Sequence, residues 1–133
     1  MDDPRISVMK RVFAKWATRD LAALSDLADP QILAALVLPP GNAKREYRGR
    51  AEIEVFLEDG AARYERFEAE ANDFAIGPSG RVFAEGTVSY RVAGAKGLTS
   101  AAYWVCDVRD GRIATWESFS DRASARVAAG LEP

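Results

Sequence analysis

The chain has 133 residues, 48% hydrophobic and 29% charged, with a formal net charge of −2. That balance suits one soluble globular domain over residues 1–133 and offers no basic surface to nucleic acid or an anionic membrane. The absence of histidine and the single cysteine exclude Ser-His-Asp and Cys-His catalysis, His-ligated zinc and an internal disulfide. Acid-base chemistry would fall to Asp, Glu, Tyr, Lys or Arg. No apolar run reaches the ~20 residues that a spanning helix needs, and the polar start MDDPRISVMKR has no signal-peptide character. One cysteine fits a reducing compartment, so a cytoplasmic location is expected.

Residues 5–19 read as an amphipathic helix. Ile6, Met9, Phe13 and Trp16 recur at helical spacing, with Lys10, Arg11, Lys15 and Arg19 on the other side. The basic side is read as a solvated face over a buried stripe rather than a membrane surface. Asp20 is placed to cap a second, shorter helix, LAALSDLA, which Asp29-Pro30 should end. The run ILAALVL stops at Pro39-Pro40-Gly41; its periodicity leaves a short strand and an irregular segment both open. Residues 41–49 are expected to be a loop. A third helix is predicted from about Arg50 to Tyr64, with Ile53, Phe56, Leu57, Ala61 and Tyr64 inward.

From Phe67 the apolar period changes to two. Phe67, Ala69 and Ala71 share one parity, and Phe74 and Ile76 take the other, which predicts a bulge near Asn72-Asp73 and a curved sheet. A turn at Gly77–Gly80 leads into the clean alternation of Val82 to Val92. Val82, Ala84, Val88 and Tyr90 fall on one face, and Phe83, Glu85, Thr87 and Ser89 on the other. After a turn at Ala93–Gly97, Thr99 to Asp121 reads as a hairpin about Asp110-Gly111, since both loop positions must accept positive φ. An unbroken register from that turn sets Val105 opposite Trp116, Tyr103 opposite Ser118 and Ala101 opposite Ser120. Trp104, Cys106, Ile113, Thr115, Glu117 and Phe119 then lie on the other side. The alanine-rich tail, Arg122 to Leu131, reads as a helix ending at Gly130.

Three helices followed by a run of short-turned strands make an α+β domain. The expected form is a cone-shaped, curved antiparallel sheet packed against three N-terminal helices, with a short C-terminal helix. Aromatic residues on both sheet faces predict a second layer on the outer one, such as the same sheet of a partner chain in a homodimer. A bent sheet closed by helices encloses a hollow suited to a small ligand.

Three stretches, LVLPPGNAKREYRGRAEIEVFL, VFAEGTVSYRV and VCDVRDGRIATWESFSD, resemble the nuclear transport factor 2-like superfamily, which includes ketosteroid isomerases, polyketide cyclases and limonene-epoxide hydrolases. The second and third look most like the epoxide-hydrolase branch and its cyclase relatives. One scaffold hosts unrelated chemistries, so the resemblance implies a fold more than a reaction. The epoxide hydrolases use an Arg-x-Asp pair on the strand resembling Val82–Val92. They add an Asp two residues after a Trp on the last strand. The Trp is matched by Trp116, the Asp by Ser118, and no Arg-x-Asp is present. Their water-positioning Tyr and Asn correspond to Leu33 and Ala35. The isomerase base, an Asp before a Pro, corresponds to Leu38, and the first helix lacks the isomerase tyrosine. The strand position resembling its protonated Asp donor is Tyr103 or Ala101.

The resemblance implies that Trp116 and Ser118 face the hollow. The ligand pocket is expected from Phe13, Trp16, Leu33, Ala35, Tyr47, Phe56, Tyr103, Val105, Trp116 and Ser118. Three catalytic candidates remain, each with a structural counter-reading. Asp121 is either a base or the N-cap of the tail helix, and a capping carboxylate is a weak base. Glu85 is either a desolvated base or a solvated sheet residue. Tyr103 is either a hydrogen-bond donor or a core tyrosine. Cys106 reads as inert packing. The expectation is a domain of the polyketide cyclase-like type that binds a small apolar or amphipathic ligand. The alternatives are a cyclase or isomerase using Glu85 or Asp121 with Tyr103, and a dimerisation module without ligand. No cofactor, metal, nucleic acid or membrane partner is called for.

Overall fold

The structure is a computed structural model that describes residues 3–37 and 44–133. Leu38, Pro39, Pro40 and Gly41, which the sequence marks as the end of an apolar run, lie outside the described residues. Helix α1 spans Pro4–Ala17. Proline takes its first position, and the Asp3 carboxylate accepts from the Arg5 N–H at 2.9 Å, so both signals of a helix start are present. The buried stripe is Val8, Met9, Val12 and Phe13, with Ile6 and Trp16 half-buried at its ends.

The helix ends in a tight reversal. The Arg19 N–H donates to Trp16 O and the Asp20 N–H to Lys15 O, with Arg19 at φ 55°. This is a Schellman motif with arginine where glycine is usual. It delivers Asp20 to the N-cap of α2, Leu21–Leu27, where its carboxylate accepts from the Ala23 N–H at 3.1 Å.

Strand β1 runs Ala28–Val37, which settles the described part of the open ILAALVL segment, residues 32–37, as extended. Strand β2, Lys44–Arg48, occupies much of the stretch expected to be a loop, and pairs antiparallel with β1. Helix α3 is Gly49–Arg63, burying Ile53 and Phe56; Ala61, expected inward, is exposed. Strands β3 (Tyr64–Ile76), β4 (Val82–Val92), β5 (Leu98–Arg109) and β6 (Arg112–Phe119) follow, and α4 covers Arg122–Ala128. The sheet order is β2-β1-β6-β5-β4-β3, antiparallel except where β1 runs parallel to β6.

Two of the register shifts in this sheet bear on the sequence reading. The first falls in β3 at Asn72, between the pairs Ala71–Gly86 and Asp73–Glu85, where the parity change predicts it. Here β3 comes so close to β4 that a Cβ on Gly86 would lie 1.7 Å from Glu70 O. The second bulge overturns the expected register of the last hairpin. The turn itself is as read, with Asp110 and Gly111 at φ 52° and 76° and Arg109 opposite Arg112. Val108 pairs with Ile113, but Asp107 pairs with Thr115, so Ala114 is the extra residue. The Thr115 hydroxyl accepts from the Asp107 N–H at 3.1 Å and donates to Asp107 Oδ2 at 2.9 Å, which holds the slip in place. A one-residue slip exchanges the faces beyond it. Trp116 therefore lies opposite Cys106, Ser118 opposite Trp104, Glu117 opposite Val105 and Phe119 opposite Tyr103.

The helix-side face carries Val82, Ala84, Trp104, Cys106, Ile113 and Trp116, packed with α1, α2 and α3 around Met9, Phe13, Leu24, Ile53 and Phe56. The outer face carries Phe83 and Val105, covered by Ala125 and Ala129 of the C-terminal segment. Its closeness is extreme at Gly77, where a Cβ would lie 1.7 Å from Ala129 O. Arg81 Nη1 donates to Ala128 O at 2.7 Å. The layer that the outer aromatics anticipate is thus supplied in part by the chain's own tail.

Candidate functional site

The helix-side aromatics make one cluster. Phe13 lies 4.8 Å from Trp104 and 5.6 Å from Trp116 between ring centroids, and Trp16 lies 6.1 Å from Trp116 and 5.3 Å from Phe67. Flat, rigid rings meeting at these tilts do not fill space completely, and a hollow of about 70 Å3 remains beside them. Helix α1 contributes Val12 and Trp16 to its wall, α2 Leu24, and α3 Ile53, Phe56 and Leu57. The sheet contributes Ala28, Ile32 and Ala34 from β1, with Ile113 and Trp116 from β6. A second hollow of about 40 Å3 adjoins it, bounded by Arg19, Leu21, Gly60, Ala61, Tyr64 and Phe67. Trp16, Phe56 and Leu57 belong to both walls and so form the partition.

Every side chain on the larger hollow is apolar or aromatic, and none of them titrates. One polar atom stands out: Trp116 Nε1 is buried with no hydrogen-bond partner. The smaller hollow carries one charge, Arg19. Among the described residues no three acidic or cysteine side chains converge as metal ligands.

Of the expected pocket residues, Trp16, Phe56 and Trp116 line the larger hollow. Phe13 packs behind the two tryptophans, and Tyr47 sits against Phe56 at 5.1 Å between rings. Ser118 shares the helix-side face, half-buried opposite Trp104, away from the hollow. Four assignments are corrected. Leu33 and Ala35 alternate away from the helices, beside Thr115 and Glu117, while Ile32 and Ala34 face in. Tyr103 and Val105 belong to the outer face because of the slip at Ala114. Ala101 and Ser120, placed with them by the unbroken register, are exposed. A signal for the slip was present: Ile113 and Trp116 are large apolar residues three apart, which no straight strand can bury on one face.

Two of the catalytic candidates meet, Glu85 and Tyr103, but on the outer face, and Asp121 is engaged elsewhere. Glu85 is the cross-strand partner of Tyr103, and its carboxylate accepts from Arg122 Nε at 3.0 Å. Asp121 accepts from the Ser124 Oγ–H at 2.6 Å and the Ser124 N–H at 2.9 Å as the N-cap of α4. These bonds hold its carboxyl below the ordinary range, which makes it a weak base. Cys106 is fully buried on the helix-side face, and burial pushes its thiol well up, away from the reactive thiolate.

Comparison with solved structures agrees with this architecture. An NTF2-like protein of unknown function from Burkholderia pseudomallei superposes with a TM-score of 0.78 at 15% identity, over 96% of this chain and 98% of its own. TerC, co-crystallised with polyporic acid, gives 0.75 at 18% identity over 92% and 95%. A protein of ketosteroid isomerase-like fold from Catenulispora acidiphila, in complex with trimethylamine, gives 0.74 at 15% over 93% and 92%. At these identities the likeness is one of fold. No curated protein matches the sequence. The family model for the SnoaL-like domain matches residues 9–116, most of the chain, and the protein therefore belongs to the SnoaL-like domain family.

Proposed function

We propose that this chain binds a small, largely apolar molecule in the hollow beside Trp16, Phe56 and Trp116, and that it does so without proton-transfer chemistry. The observation that carries the reading is the separation of the two faces. The hollow has an apolar wall throughout, whereas Glu85 and Tyr103 sit on the far side of the sheet and Asp121, beyond the end of β6, caps α4. A general base must reach the proton it removes, directly or through one water, and none of the three is among the residues that line the hollow. Two fold relatives, TerC and the Catenulispora protein, hold small molecules, which supports a ligand role for this scaffold.

The size of the hollow adds a condition. A 150 Å3 cavity takes benzene, so about 70 Å3 takes roughly three heavy atoms. A larger guest requires the partition to move. Trp16 is the half-buried member of that partition, at the end of α1 beside the strained Arg19 turn, and is the residue to swing. The test is titration of 15N-labelled protein with benzene, following the three indole N–H signals. Saturable shifts at Trp16 and Trp116 are the expected result; no shift up to the solubility of benzene would refute the reading.

The small volume favours a second reading, a dimerisation module whose hollow its own rings nearly fill. The outer face supports it with half-buried Tyr103 and Phe119, which lie opposite each other across β5 and β6. In this reading two copies pair through that face, and sedimentation equilibrium would return twice the chain mass. The single cysteine suits a reducing compartment, which supports a cytoplasmic location.

A further inference from the structure

The Nε1–H of Trp116 has no protein partner, and the chemistry around it says what would fit. Trp116 is only 7% exposed, and its Nε1 is fully buried and unpaired. Buried indoles ordinarily find an acceptor, so an orphaned one is a specific cost held in the fold. The neighbours supply nothing: its partner across β1 is Ala34, and the rings around it are Phe13, Trp16 and Trp104. The other two orphaned donors differ. Arg50 and Arg81 each bond a backbone carbonyl through another nitrogen, and neither lines the hollow.

We infer that Trp116 Nε1–H is the recognition group of the hollow, and that the molecule bound there is a monofunctional neutral compound carrying one oxygen acceptor, a ketone or an ether. The inference rests on the apolar-ligand reading and narrows it. Water is a poor occupant, since a buried water needs two to four polar partners and the wall offers one. A carboxylate is excluded by the lack of any cation on that wall. An alcohol would satisfy the indole but bury its own hydrogen without an acceptor. A carbonyl or ether oxygen accepts one bond and asks for nothing further.

The probes are cyclopentanone and methylenecyclopentane, which share a ring and differ in C=O against C=CH2. Their affinities for one protein cannot be compared directly, because the ketone gives up more hydration on binding. The readout is instead the effect of Trp116→Phe on each. The variant should weaken cyclopentanone roughly five- to tenfold, the worth of one buried hydrogen bond, and change methylenecyclopentane less than twofold. In the unmodified protein, the Trp116 indole proton should move downfield with the ketone and not with the hydrocarbon. That measurement stands even if the variant does not fold. Equal effects of Trp116→Phe on both probes, or the same indole shift with both, would overturn the inference and leave apolar binding intact. If neither probe binds the unmodified protein, both readings fall.

Discussion

Phe56→Ala tests whether the partition between the two hollows is real. The ring is 8% exposed and belongs to both walls. Returning its surface to water costs about 2 kcal/mol. The ring vacates roughly 100 Å3, and at ~24 cal/mol per Å3 that empty space adds about 2.4 kcal/mol. The total, near 4 kcal/mol, is a large part of the 5–15 kcal/mol of a typical domain, and lowers Tm by on the order of 12 °C at ~3 °C per kcal/mol. The enlarged space should then exceed the ~150 Å3 that takes benzene. Benzene at ten times its Kd should restore about 1.4 kcal/mol in a urea melt. A loss under ~2 kcal/mol together with no benzene response would mean that α3 settles onto the sheet and that Phe56 divides nothing.

The remaining predictions concern the frame that holds the hollow. Gly86→Ala forces a Cβ to within 1.7 Å of Glu70 O, a backbone atom, so the unfolding free energy from a denaturant melt should fall by about 3 kcal/mol or more. A loss below ~1 kcal/mol would show that β3 and β4 part freely at the bulge. Arg19→Gly relieves the left-handed turn after α1, where φ is 55°. It should stabilise by on the order of 0.5–1 kcal/mol, since the steric relief exceeds the added entropy of the unfolded chain. Destabilisation would place an unrecognised contact on the arginine side chain. Asp3 has its carboxyl lowered from the ordinary 3.8 to about 2, first by the Arg5 side chain and then by the Arg5 N–H. A depressed folded value means that its contribution is full above about pH 4 and is lost as pH falls through 2. The stability gap between the native chain and Asp3→Asn should therefore close over that window. A gap constant with pH would refute the assignment.

Local chemistry carried much of the fold. Asp20 and Asp121 cap the helices that their positions implied, and Asp110-Gly111 makes the turn that its tolerance of positive φ allows. The parity change after Ala71 located the bulge at Asn72, because both halves of β3 bury apolar residues that declare their face. These features depend on a residue and its near neighbours, so the sequence alone suffices to read them.

The site depended on contacts that the chain order hides. ILAALVL has no polar residue to mark its outer side, so only packing against α3 decides that Ile32 and Ala34 face in and Leu33 and Ala35 face out. Lys44–Arg48, too polar to read as a strand, is extended because β1 offers it an open edge. The slip in β6 arises where the Thr115 hydroxyl takes the Asp107 N–H, a bond between residues on different strands. That single step put Tyr103 and Val105 on the face away from the hollow and left Trp116 against Phe13 and Trp104. Side-chain period determines which residues are apolar partners of one another along a strand; the register between strands determines which of them share a cavity, and register is a tertiary property.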